Sequence, residues 1–391
     1  MAKPQIRIKG YDEEWEDITL NDICTINPPS IVPEVFEYVD LESVVGTEIV
    51  AHRTETRSTA PSRAQRFAKD GDIFFQTVRP YQKNNCIFRN QEQNYVFSTG
   101  YAQIRPSIYN EFLFNLLQSD SFVNQVLLNC TGTSYPAINP SSLSKVTFRI
   151  TKNTDEQKSI AAYFRSLDEL IQASAKKVDS LKQMKTACLQ TMFPQPGETT
   201  PRVRFKGFTG DWAQTKLGTI FKERNESNVH AEMLSVTLNQ GIIRASENGR
   251  FDNSSSDKSK YKVVRVGDIA YNSMRMWQGA SGCSGYEGIV SPAYTVVTPS
   301  DGIYSEFFAY LFKTAGMIKT FRLHSQGLTS DTWNLKYPAF SMITVLYPKD
   351  SREQQKIASY FRELDAQIRL HEQKLEKLKQ IKASCLDKMF V

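Results

Sequence analysis

The stretch "EQKSIAAYFRSLDELI" at residues 156–171 returns as "EQQKIASYFRELDAQI" at 353–368, a spacing of 197 residues. Laid over one another without a gap, 155–194 and 352–391 match at 19 of 40 positions, and both end in Cys-Leu-x-x-Met-Phe. A repeat this long restricts the chain to architectures made of two copies of one unit. The duplication reaches beyond the helices. "PQIRIKGYDEEW" at 4–15 answers "PRVRFKGFTGDW" at 201–212, "GDIFFQTVRPYQ" at 71–82 answers "GDIAYNSMRMWQ" at 267–278, and "YNEFLFNLL" at 109–117 answers "YSEFFAYLF" at 304–312. The offset drifts from 197 to 195 and back, as insertions and deletions in surface loops produce. The expected order is a globule at 1–150, a long helix at 151–197, a second globule at 198–348 and a second long helix at 349–391.

Both repeated helices carry a heptad seam. Ile160, Phe164, Leu167, Ile171, Val178 and Leu181 line it in the first, and Ile357, Phe361, Leu364, Ile368, Leu375 and Leu378 in the second. Steps of four and three over four to five heptads describe a coiled coil. Its polar interruptions, Ser174 with His371 and Lys185 with Lys382, fall at the same register in both copies. The first helix must hand the chain to a globule beginning near residue 200, and a parallel pair would force that connection back along about 55 Å of helix. Antiparallel pairing is expected instead, with the globules related by an approximate twofold axis and the helices acting as a ruler.

Within each globule the pattern is mixed. "DIFFQTV", "YVFSTGYAQI", "KVTFRI", "DIAYNSM" and "AYTVVT" read as strands. The stretches 110–128 and 304–323 each read as one packed helix, and the polar segments 51–69 and 244–260 read as loops. The fold class is α+β: two duplicated α/β domains joined by two long helices in an antiparallel coiled coil.

The 391 residues contain no run of about 18 apolar residues, and "MAKPQIRIKGYDEEW" lacks a signal-peptide core, so no membrane association and a cytoplasmic location are expected. Six dispersed cysteines without a CxxC pair and four scattered histidines argue against zinc and for free thiols. The net charge of +6 permits a polyanionic partner. Its distribution is more telling: residues 52–90 hold eight Arg or Lys against three acids, and 258–278 hold five against one. Two basic stretches in corresponding places, on twofold-related globules at a fixed separation, suit a duplex DNA site split into two halves.

Reading base edges calls for Arg or Lys at guanine and Asn or Gln at adenine, while Lys, Arg and Tyr position phosphates. Arg63, Arg66, Gln76, Arg79, Tyr81, Lys83 and Asn84 supply that mixture in the first copy. Lys258, Lys260, Tyr261, Asn272, Arg275, Trp277 and Gln278 supply it in the second, with Gln76 aligned to Asn272 and Arg79 to Arg275. The loops 129–139 and 324–334, rich in Gly, Ser and Thr before the last strand, are further candidates.

The opening "P-x-[IV]-R-[IF]-K-G-[YF]…W", the "GDI" strand followed by an arginine, "SRAQRF" at 62–67, "GIVSPAY" at 288–294 and above all "EQ…IA.YFR.LD..I" resemble the specificity subunit of type I restriction-modification enzymes along essentially the whole chain. The resemblance implies a non-catalytic subunit with two target-recognition domains, each reading half of a bipartite site, and helices that dock two methyltransferase subunits. S-adenosylmethionine, ATP and magnesium would then belong to those and to the restriction subunits, with no cofactor in this chain. Neither a GxxxxGK[ST] loop nor a glycine-rich methyl-donor turn occurs in the sequence. "NPPS" at 27–30 has a serine where a base-flipping methyltransferase places an aromatic platform, so a strand-end turn is expected there. A free-standing bipartite DNA-binding regulator and a coiled-coil scaffold are the alternative readings.

Overall fold

The structure, a computed structural model, describes residues 4–89, 93–228, 230–238, 240–248, 257–330 and 332–390. The chain divides into two compact units, Met1–Ala175 with Gln373–Val391, and Lys176–Glu372. Each contains one globule, part of one long helix and the complementary part of the other.

The long helices run Thr154–Thr191 and Ser351–Met389. Asn153 caps the first by accepting from the N–H groups of Asp155 and Glu156 at 3.0 and 3.1 Å, and Asp350 caps the second by accepting from Arg352 at 2.9 Å. In the first unit Ile160, Ala161, Phe164 and Leu167 share one apolar core with Cys385, Leu386, Met389 and Phe390. The start of one helix therefore meets the end of the other, and the pair is antiparallel. The second unit repeats this with Leu181 against Leu364 and Ile368, and Met192 and Phe193 against Ile357, Ala358 and Phe361. Most seam positions are buried; Ile171, Leu375 and Leu378 are half-buried. The seam lysines are ion-paired across the helices: Lys382 to Asp168 in the first unit and Lys185 to Asp365 in the second, both at 2.5 Å. The paired numbers sum to 550 within each unit, so the two copies use the same local pairing.

In the first unit an antiparallel sheet has the order Cys24–Ile26, Tyr101–Pro106, Ile73–Gln76, Cys86–Ile87. A second sheet has the order Arg53–Thr56, Val35–Val39, Tyr95–Ser98, Ala64–Phe67, with Val35–Val39 parallel to Tyr95–Ser98. Alternation along "IFF" explains why that run is apolar at every position. Ile73 and Phe75 face the helical core, while Phe74 faces the second sheet, stacked on Phe97 at 3.5 Å. The second unit builds its main sheet from Phe221–Glu223, Tyr294–Pro299, Ile269–Asn272 and Ser281–Cys283, with Ile269 and Tyr271 on one core and Ala270 on another.

The repeated motifs hold these parts together. Glu156 is fully buried and receives both arms of Arg7 at 2.7 and 2.9 Å; Glu353 receives Arg204 at the same two distances. The following glutamines clamp two backbones each. Gln157 accepts from Tyr109 N–H and donates to Thr151 C=O, and Gln354 does the same with Tyr304 and Pro348. Thus the "EQ" of each long helix is the socket on which its globule seats.

Two expectations need correction. The stretch 110–128 is two helices, Asn110–Leu117 and Asp120–Leu128, because Ser119 caps the second by accepting from Phe122 N–H at 3.2 Å; Thr314 divides Ser305–Leu311 from Ala315–His324 in the same way. The segment 51–69 contains the strands Arg53–Thr56 and Ala64–Phe67. Both lie at the edges of their sheet, where polar side chains are tolerated and apolar alternation is weak. Of 244–260, Ala245–Asn248 forms a 3-10 turn, and 249–256 lie outside the described residues.

Candidate nucleic-acid interface

In each unit the main-sheet strand containing the "GDI" isoleucine runs directly into a one-turn 3-10 helix, Pro80–Gln82 or Met276–Gln278. The aspartate of that motif is buried and forked by an arginine, Asp72 by Arg105 and Asp268 by Arg224, which fixes the root of the strand. The arginine comes from the strand Tyr101–Pro106 in the first unit and from the residue that follows the strand Phe221–Glu223 in the second. The requirement is for the charge partner, not for its position.

Arg79 and Arg275 stand at the same place, the N-cap of the 3-10 turn. The loop before the last strand lies alongside. In the first unit Arg79 N–H donates to Pro136 C=O at 2.8 Å, Ile138 N–H donates to Thr77 C=O at 3.0 Å, and the Arg79 guanidinium lies 4.3 Å over the Tyr135 ring. In the second, Leu335 N–H donates to Ser273 C=O at 2.8 Å, the Trp277 and Trp333 rings meet edge to face at 5.2 Å, and Arg322 lies 5.1 Å over Trp333. Turn and loop, separate candidates in the sequence, form one surface in each unit, with an aromatic ring and a guanidinium in contact. Tyr81 and Tyr135 are 50% and 63% exposed on it.

The remaining candidates divide. Lys83 is paired with Asp120, and Asn84 accepts from Gly46 N–H at 2.9 Å, so both brace the turn while remaining half exposed. Arg63 is exposed and its carbonyl accepts from Thr99, next to Gly100, whose carbonyl accepts from Thr77; the "SRAQRF" segment thereby reaches the root of the turn. Arg66 is half-buried and burial pushes its guanidinium pKa down. Arg275 and Gln278 are exposed and Trp277 half exposed, with its indole N–H donating to Met274 C=O. Asn272 uses its side-chain oxygen to accept from Met274 N–H.

Gln76 and Tyr261 are buried. Gln76 faces inward because it ends a strand covered on both sides, and its amide donates to Val78 C=O and Gln82. It supports the turn from beneath rather than presenting an edge to DNA, and Tyr261 is likewise withdrawn from the surface. Lys258 and Lys260 lie at the turn before strand Lys262–Val264, a segment apart from the 3-10 turn. Asn27 of "NPPS" bonds Gln103 through backbone and side chain, consistent with a strand-end turn. Among the described residues no group of His, Cys, Asp and Glu is arranged to hold a metal ion, and no helix is long and apolar enough to cross a membrane.

Sequence reasoning missed Asn85, Gln118 and Lys313, all beneath the turns. No motif marks them, although Gln118 and Lys313 occupy equivalent positions in the repeat.

The family model for the type I restriction modification DNA specificity domain matches twice, at residues 12–183 and 210–380. A curated relative, the type I restriction enzyme HindI specificity subunit of Haemophilus influenzae, is 25% identical over 194 residues, 46% of this chain and 41% of that protein. The match thus spans less than half of the relative's length. Solved structures share the fold over nearly the whole chain. The type I restriction-modification S subunit of M. genitalium gives a TM-score of 0.62 at 15% identity, covering 100% of this chain and 99% of that one. The HsdS subunit of Thermoanaerobacter tengcongensis gives 0.50 at 22% identity, covering 98% of each. A chain from a structure on assembly and conformational transition of the type I R-M system gives 0.60 at 21%, covering 96% and 97%.

Proposed function

Because the chain belongs to the type I restriction modification DNA specificity domain family, we propose that it is the DNA specificity subunit of a type I restriction-modification complex. It is the non-catalytic subunit. Each unit reads one half of a bipartite duplex site through its 3-10 turn and the adjoining loop. Two methyltransferase subunits dock on the long helices and supply the S-adenosylmethionine chemistry, and restriction subunits supply cleavage with ATP and magnesium.

The observation that carries this reading is the duplicated surface of turn arginine, aromatic ring and polar loop: Arg79 and Arg275 stand at equivalent places, half-exposed and exposed, while the guanidinium against the loop aromatic is Arg79 itself in the first unit and Arg322 in the second. Arginine can fork to guanine, a stacked aromatic fixes the guanidinium, and neighbouring hydroxyls and amides reach phosphates. Strand and socket residues give the turn a rigid base, as precise readout requires. The test is co-expression with a candidate methyltransferase subunit, followed by gel shift and genome-wide mapping of methylated adenines. Methylation at one split sequence supports the reading. Methylation by this chain alone, or a complex with no sequence preference, would overturn it.

A further inference from the structure

Beneath each turn, the corner between the two short helices is tied to it, and the two units use different chemistry. In the first, Gln118 closes the helix Asn110–Leu117 and is 6% exposed; its side-chain oxygen accepts from Asn85, which is fully buried, at 3.4 Å. Asn85 in turn accepts from Gln76 N–H at 2.7 Å, and the Gln76 amide reaches the Val78 carbonyl at 2.7 Å and Gln82 at 2.8 Å. A line of four amides therefore runs from the helix corner to the turn. Above it the backbone is left-handed at Arg79 and again at Lys83, each with φ of 54°. Non-glycine residues hold that conformation only where their surroundings enforce it.

In the second unit the position equivalent to Gln118 is Lys313. Its ammonium donates to the carbonyl of Gly279, which closes the 3-10 turn at φ 86°, and to the carbonyl of Leu238 at 3.0 Å. Asp365 and Lys185 of the long helices lie close to it, and Tyr310, on the preceding short helix, bonds Asp365 at 3.0 Å. Burial and the repulsion of Lys185 push its pKa down to about 8, against the pull of Asp365.

We propose that Gln118 and Lys313 are positioning residues that set the shape of the reading turn, and through it the bases accepted at each half-site, without touching DNA. The inference rests on the reading of these turns as DNA-contacting elements. A methionine or leucine would fill either place without burying a polar group. A polar residue withdrawn wholly, like Gln118, or partly, like Lys313, from solvent and bonded to the backbone or side chains of the turn acts on conformation rather than on net stability.

The experiment is methylation mapping of Lys313→Met and Gln118→Met in the assembled complex, beside Lys313→Arg and Gln118→Glu. Each methionine variant is expected to change base preference tenfold or more at one half-site, a different one for each residue, and to melt within a few degrees of the parent. The polar replacements should restore preference in part. If a methionine variant does not fold, by circular dichroism, its polar counterpart carries the test: an altered preference at one half-site supports the inference, and an unaltered one overturns it. Folded methionine variants with unaltered preference at both half-sites also overturn it. Arg79→Gly and Arg275→Ala run in parallel. If these too leave preference unchanged, the turns do not read DNA and the broader reading falls; if they alter it while the 118 and 313 variants do not, only the present inference falls.

Discussion

Asp168 and Lys382 meet across the helix pair at 2.5 Å, in a seam position where an apolar side chain would ordinarily sit. The lysine side chain is 18% exposed and the aspartate 41%. Asp168→Ala is expected to cost about 1–3 kcal/mol, because it leaves an ammonium in the seam without its acceptor. Lys382→Met, which removes the charge together with its need for a partner, should be neutral or stabilising. Urea denaturation of both variants and the double variant measures the coupling, and an Asp168→Ala midpoint equal to the parent's would show that the pair contributes nothing.

Arg7→Ala and Arg204→Ala each strand a buried carboxylate, Glu156 or Glu353. A loss of about 3–5 kcal/mol is expected from each, confined to its own unit. Lysine should rescue poorly, since a point charge cannot reproduce the two-armed contact. Hydrogen exchange resolved by unit is the measurement, and uniform loosening of the whole chain would contradict the assignment.

Arg275→Ala should weaken recognition at one half-site by about 1–3 kcal/mol if the guanidinium forks to a base edge. For Arg79 the suitable change is to glycine, which removes the guanidinium and is at ease at φ 54°. Competition binding with duplexes altered in one half at a time separates the two effects. Equal losses on both halves would mean that the arginines meet phosphates.

The depressed pKa of Lys313, about 8 against its ordinary 10.5, gives a pH signature. Between those values the unfolded chain holds more protons than the folded one, so this residue's contribution to stability rises with pH across that window and is lost again on acidification toward 8. The melting temperature of the parent minus that of Lys313→Met should therefore climb between about pH 8 and 10. A flat difference would show that the amine titrates normally.

Val178 and Glu372 lie one heptad from the Lys185–Asp365 pair on their respective helices, so points after Val178 and after His371 face one another. Inserting seven residues at both keeps the seam in register and adds about 10 Å of helix. If the paired helices set the spacing of the recognised sequence, its gap should grow by up to about three base pairs with both half-sites unchanged. Retained activity with an unchanged gap would dissociate helix length from site spacing.

The parts of this fold legible in the sequence are those dictated by periodicity. The heptads of the long helices, the alternation around Ile73 and Ile269, and the repeat itself follow from which faces are buried. Hidden from view were the breaks at Ser119 and Thr314, where one hydroxyl overrides a continuous apolar pattern, and the edge strand at Arg53–Thr56, whose outward face carries no apolar signal. The site was half legible for a related reason. Composition finds residues able to touch DNA, but Gln76 has the right chemistry on a strand that is buried on both faces. Gln118 and Lys313 act through the shape of their neighbours, which leaves no mark on composition.

The two glutamate–glutamine sockets make equivalent bonds to their globules, with the same two distances between each glutamate and the arginine of the opening segment. Nothing in Glu156 or Gln157 records which bases that globule accepts, and nothing in Glu353 or Gln354 does either. A crossover in the gene at these repeated stretches would deliver a foreign globule to a joint that already fits. Diversity in what is read can then arise by exchange of whole cassettes, with the joints left as they are.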